Sequence, residues 1–153
     1  MKLVSFRHGS REGFGALVGD GVVDLTGVSY YETNYPTLRD VFAGGVVEEL
    51  AQTVRESRPE LGLSDIELLL PIPDPGKIIL VGQNYYRDKA AKAAGARPDH
   101  PNIFGRTVES FAPDGAPILK PKVSDAFDYE GELGVVIGHE ARHIAKENTL
   151  DVV

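Results

Sequence analysis

A chain of 153 residues with 42% hydrophobic and 25% charged side chains has a globular composition, and its length suits one ordinary domain or two small ones. A formal net charge of −7 leaves no basic stripe to neutralise phosphates, which argues against a nucleic-acid partner. The absence of Cys excludes disulfides and thiolate chemistry, and no apolar run has the length of a membrane span.

Met1 to His8 lacks the apolar core of a signal peptide, so the cytoplasm is the expected compartment. Lys2 to Phe6 reads as a strand, followed by a turn region over Gly9 to Gly13. His8 has no catalytic partner nearby in sequence and reads as a surface residue. Phe14–Val18 and Val22–Leu25 are β-prone runs joined through Gly19-Asp20-Gly21, a hairpin signal because such turns need positive φ. Thr37 to Ala43 is expected to be a short helix, capped by Thr37 with Asp40 three residues on and closed by Gly44. Val46 to Ser57 places Val46, Val47, Leu50 and Val54 on one stripe, as a second helix packed on a core would. Ile66 to Leu70 is again β-like.

Pro71-Ile72-Pro73-Asp74-Pro75-Gly76 favours an extended connector and marks the expected domain junction. Residues 1–72 then form a small N-terminal β/α module, and 73–153 begin a second domain, giving a β-rich α+β chain. Lys77 to Val81 is a continuous apolar run, as in a strand buried on both faces. Gly82-Gln83-Asn84-Tyr85-Tyr86 follows, either lining a site beyond the strand end or forming a turn with surface tyrosines. Arg87 to Ala94 is expected to be helical and closed by Gly95, and Ala96 to Pro101 to be a loop with His100 exposed. Arg106 is either a bidentate carboxylate clamp or an ordinary surface cation. Ser110 to Gly115 reads as a loop, and Ile118-Leu119, flanked by prolines, as an edge strand.

The second part is organised around Phe127-Asp128-Tyr129-Glu130-Gly131-Glu132-Leu133-Gly134-Val135-Val136-Ile137-Gly138. In an extended strand Asp128, Glu130 and Glu132 share a face. Like charges so placed repel, so the cluster is either a solvated edge or a holder of a hard cation through oxygen ligands. His139-Glu140-Ala141-Arg142-His143 matches the zinc-helix spacing H-E-x-x-H. The match follows a strand end with no lead-in for a long helix, and no third ligand stands in the residues after it, so it reads as a polar turn.

Taken together, Lys77 to Tyr85, Pro101 to Arg106, Pro117-Ile118 and Asp128 to Gly138 resemble the fumarylacetoacetate hydrolase family over residues 77–153, with 1–72 similar to a variable front domain. The resemblance implies a core of mixed, rolled β-sheet, a divalent metal (Mg²⁺, or Mn²⁺ or Ca²⁺ in some members), and 2-oxo or β-diketo acid substrates. It implies hydrolysis or lysis of C–C bonds, decarboxylation or related enol chemistry, in a homodimer. Glu130 and Glu132 fall on the family's E-x-E metal pair, with Asp128 behind them. Gln83, Asn84 and Tyr85 are implied as substrate contacts, and Arg106 falls where members place a basic residue near the substrate.

The sequence departs from the family in two ways. The His–Glu pair of water-activating members is absent after Asn84-Tyr85, which leaves Lys89 as a candidate base, one that needs a strongly lowered pKa. A third metal-ligating Asp, expected some tens of residues after the glutamates, is not reached by Val153, so the sequence reads as a fragment of a longer enzyme. The competing expectation is a non-catalytic module that binds a partner or a small acid.

Overall fold

Alternating apolar positions build the front of the chain into a sheet. In the computed structural model, which describes residues 1–86, 88–95 and 98–153, β1 (Lys2–His8), β2 (Arg11–Val18) and β3 (Gly21–Asp24) run antiparallel in sequence order. Short edge strands complete the sheet: β4 (Leu61–Gly62) lies beside β3, and β5 (Glu67–Leu68) lies on the far side of β1. Ser5 pairs with Phe14 and Ala16 with Val23, and directly opposed residues share a face. Phe6 and Val22 point to the opposite face and are also fully buried.

Both hairpin turns contain two residues, Gly9-Ser10 and Gly19-Asp20. Their glycines, at φ of 61° and 63°, take the left-handed backbone that costs glycine nothing. The second turn therefore uses Gly19 rather than Gly21, which already pairs in β3. The first turn is shorter than the expected Gly9–Gly13, because Gly13 belongs to β2. A Cβ there would meet the buried Thr26 Oγ1 at 2.5 Å. That hydroxyl accepts the Phe14 amide at 2.6 Å and donates to the Phe14 carbonyl at 3.2 Å, fastening the chain after β3 onto β2.

Helices α1 (Ser29–Asn34), α2 (Leu38–Ala43) and α3 (Val47–Glu56) follow. The expected cap of α2 is present and reciprocal. Thr37 Oγ1 accepts the Asp40 amide at 3.2 Å, and the Asp40 carboxylate accepts the Thr37 amide at 3.1 Å. The apolar stripe of α3 places Leu50 fully inside. α1 was not legible: it is one and a half turns long, carries adjacent tyrosines, and has no side-chain cap. Tertiary contacts hold it instead. Tyr31 is buried, and its hydroxyl lies 3.0 Å from Thr53 Oγ1 on α3. Phe14, Ala16, Val23 and Leu25 from the sheet region pack with Tyr31, Leu38, Val41, Val46 and Leu50 as one core.

The chain divides into two compact units, 1–72 with 112–153, and 73–111. In the second, β6 (Ile78–Gly82) pairs antiparallel with β7 (Asn102–Arg106) as a two-stranded sheet, with α4 (Lys89–Ala93) between them in sequence. The Asp88 carboxylate caps α4 by accepting the Ala91 amide at 2.8 Å. Arg87, where the helix was expected to begin, and Ala96 and Arg97 of the following loop lie outside the described residues.

Two expectations are corrected. The strand after Lys77 is not buried on both faces: Ile79 is 65% and Val81 46% exposed. A β-ladder with one neighbour supplies no layer to cover a continuous apolar run. Residues 127–138 form no strand, nor do Ile118-Leu119. The residue types suit extended backbone, but a strand is defined by its partner, and none of the described strands pairs with this segment. Leu133 is accordingly 81% exposed and Ile137 64%. A short 3₁₀ stretch, Lys146–Val152, follows, and the Val152 carbonyl accepts the Gly138 and His139 amides at 2.8 and 3.3 Å. No helix among the described residues is long and apolar enough to cross a membrane.

Candidate functional site

The 73–111 unit contains a small cavity at the end of β6. Gly82 closes that strand against β7, where a Cβ would lie 3.1 Å from the Phe104 ring and 3.2 Å from Asn102 Nδ2. The next residue, Gln83, has φ of 55°, a left-handed backbone that costs a non-glycine residue about 1–2 kcal/mol. This kink ends the ladder and sets Gln83 and Asn84 beside a cavity of about 160 Å³, with Pro98, Asp99 and Pro101 on its other wall. The two amides and the Asp99 carboxylate make no side-chain hydrogen bond or ion pair among the described residues.

The other residues singled out in this unit lie elsewhere. Tyr85 is 64% exposed and does not line the cavity. Arg106 ends β7 with its guanidinium 5.6 Å from the Phe104 ring centroid, two residues back on the same strand face. Lys89 opens α4 and is exposed to solvent. Near Arg106, Glu109 is held below the usual carboxylate range, first by a hydrogen bond with the Thr107 side chain and then by its own backbone amide. Asp99 was missed in the sequence, where it looked like one more loop residue between prolines. Its relation to Gln83 depends on the pairing of β6 with β7 across an intervening helix.

Glu130 and Glu132 belong to the other unit and are exposed. Asp128 turns onto its own backbone, accepting the Tyr129 amide at 2.9 Å. Among the described residues no three His, Asp or Glu side chains are grouped to hold a metal ion. The donor chemistry of Glu130 and Glu132 is all oxygen, which suits a hard cation, and supplies two of the six or more oxygens that one takes. His139 and His143 stand on no helix, and His143 has φ of 54°, so the one-turn spacing that brings two zinc-binding imidazoles together is not formed. A larger hollow of about 540 Å³ lies in the first unit, between Leu63–Leu68 and Pro113–Pro117.

Residues 77–153 match the family model described as Fumarylacetoacetate (FAA) hydrolase C-terminal. The chain belongs to the fumarylacetoacetate hydrolase family. The match contains the cavity residues and both glutamates. Among family relatives, a Xenopus laevis protein named oxaloacetate tautomerase fahd2, mitochondrial, is 32% identical over 162 aligned positions, covering 100% of this chain and 49% of that protein. The Bacillus subtilis oxaloacetate tautomerase YisK is 38% identical over 115 positions, covering 69% of this chain and 38% of its own. The chain thus spans about half or less of the length of these curated relatives. A crystal structure from Mycobacterium smegmatis assigned as an HpcE protein superposes with a TM-score of 0.54 at 24% identity, covering 77% of this chain and 40% of that one. That likeness supports the sheet-rich α+β fold of this chain.

Proposed function

We propose that this protein is a divalent-metal-dependent enzyme that acts on 2-oxo or β-diketo acids through an enol or enolate. The observation that carries the reading is the Glu130-x-Glu132 pair inside the stretch matched by the family model. Glu130 and Glu132 would hold Mg²⁺, with Mn²⁺ or Ca²⁺ as alternatives, and water and groups outside this pair would complete its shell. When bound, such a cation polarises the oxo and carboxylate oxygens of the acid and stabilises charge that develops on enolisation.

The chain's own residues supply the remaining roles. Gln83 and Asn84 offer amide donors and acceptors to substrate oxygens, and Tyr85 adds a phenol. Arg106 pairs with a carboxylate. Asp128 supports the glutamates from behind. Lys89 is the proposed proton carrier, a role that requires desolvation when substrate covers it. Without the His–Glu pair that would activate water, moving one proton between carbon and oxygen asks less of these residues than hydrolysis does. Two relatives that are named oxaloacetate tautomerases point the same way. We further propose that the residues after the small 1–72 module begin a mixed β-roll, and that the protein works as a cytoplasmic homodimer.

The test uses the protein as its gene encodes it. Ketonisation of enol-oxaloacetate is expected to accelerate with Mg²⁺, to stop with EDTA, and to fall at least about a hundredfold in Glu132→Gln, the scale of losing one electrostatic contact to the reacting group. Equal rates with EDTA or in the variant would overturn the reading. Binding of small acids with no turnover of any 2-oxo acid would instead support a non-catalytic module.

A further inference from the structure

Two aspartates in this chain are followed by glycine, in Asp20-Gly21 and Asp114-Gly115. In such a pair the glycine nitrogen can approach the carboxyl carbon before it, because the glycine has no Cβ to obstruct the backbone rotation. The five-membered ring that results forms only where the main chain around the pair is free to turn, and the fold treats the two pairs differently.

Asp20 stands in the two-residue turn between β2 and β3, but Gly21 is already part of the sheet. It is buried, and it is paired with Val18 on one side and Gly62 on the other. A Cβ on Gly21 would lie 2.6 Å from the Pro59 Cβ, so the backbone there is packed tightly. Its nitrogen cannot swing toward the Asp20 carboxyl unless the hairpin opens. Asp114 and Gly115 instead form the exposed centre of a turn in the 1–72 with 112–153 unit. The Ala116 amide closes that turn by donating to the Pro113 carbonyl at 3.1 Å, which leaves the Gly115 amide out of the closing bond. Gly115 has φ of 76°, as the third residue of a type II turn requires. Among the described residues nothing stands within 4 Å of the place its Cβ would take.

We propose that Asp114 is a site of spontaneous modification, which isomerises to isoaspartate in the folded protein while the hairpin protects Asp20. The Gly115 nitrogen bonds to Asp114 Cγ, and one carboxyl oxygen leaves as water, taking the amide proton and one proton from solvent. Water then adds to the main-chain carbonyl carbon of Asp114 and breaks its bond to Gly115. The chain now runs through Cγ and is one methylene longer, and an α-carboxylate replaces the main-chain carbonyl. The product has the mass of the starting chain, and water is the only co-reactant. Asp114 and Gly115 line the hollow of about 540 Å³, so the new carboxylate arises at its wall.

The experiment ages the protein as its gene encodes it at neutral pH, either folded or in urea, and digests it with trypsin. Chromatography separates isoaspartyl from aspartyl peptides, and electron-transfer fragmentation locates the altered residue. In the folded protein isoaspartate is expected to form at Asp114 at least about tenfold faster than at Asp20, the factor given by an opening cost of about 1.4 kcal/mol for the hairpin. In urea the two rates are expected to converge, because both pairs are then equally free. Asp114→Glu, whose longer side chain would have to close a six-membered ring, is expected to abolish the first signal and leave Asp20 unchanged. Equal rates at the two sites in the folded protein, or an Asp114 that stays unmodified, would overturn the proposal. A tenfold gap that persists in urea would overturn it as well, since the fold would then not be its cause.

Discussion

Gln83 combines a costly backbone with a place at the cavity wall, and strain of this kind is kept where the fold needs a side chain in a fixed direction. Gln83→Gly removes about 1–2 kcal/mol of left-handed strain and returns about 0.5–1 kcal/mol through a looser unfolded chain. Its melting temperature is therefore expected to change little or rise slightly. Gln83→Val is expected to lower stability by about 1–2 kcal/mol, because a β-branched residue tolerates positive φ least. Thermal denaturation of the two variants checks this, and equal destabilisation of both would contradict it. At Gly13 the constraint is space: Gly13→Ala drives a methyl into Thr26 and is expected to cost about 1–3 kcal/mol in a denaturant titration. Gly13 did not stand out in the sequence, since its constraint comes from a neighbour made by tertiary pairing. Glu130 and Glu132 did stand out, because their alternation is local.

At the scale of the element, legibility followed self-sufficiency. α2 and α3 carry their own signals, a capping box and an apolar stripe, and the structure has both where the sequence placed them. The β1–β2–β3 meander was readable because its turns are short and its partners consecutive. α1 depends on the burial of Tyr31, which no local pattern announces. The segment after Phe127 shows the opposite failure, with strand-forming residues and no partner among the described strands. Removing the α2 cap with Thr37→Ala is expected to cost about 1 kcal/mol. Leu50→Ala, which empties a fully buried site on α3, is expected to cost about 2–5 kcal/mol. Chemical denaturation ranks the two, and a Thr37→Ala cost equal to that of Leu50→Ala would show that the helices are held by their caps rather than by the core.

Over the whole molecule, burial is uneven. Among the described residues, every fully buried large side chain lies between Phe6 and Leu50, while residues 117–137 are exposed apart from Ser124 and have no regular structure. Backbone without ladder or helix bonds opens most readily to proteases. Trypsin is therefore expected to cut the 153-residue chain at Lys122 well before Arg11 or Arg39, as mass spectrometry of timed digests would show. First cuts within β2 or α2 would contradict that order. The same exposed stretch carries Glu130 and Glu132, the proposed metal pair, so the proposed chemistry depends on a part of the chain without regular structure.

The most direct measurement is a Mn²⁺ titration followed by electron paramagnetic resonance, on the protein as its gene encodes it and on Glu130→Gln and Glu132→Gln. The account predicts one saturable site per chain in the wild type, weakened at least about tenfold in either variant, because each removes one carboxylate from a hard-cation shell. Saturation of the same site with unchanged affinity in both variants would contradict the assignment of these glutamates as metal ligands, and with it the proposed enol chemistry.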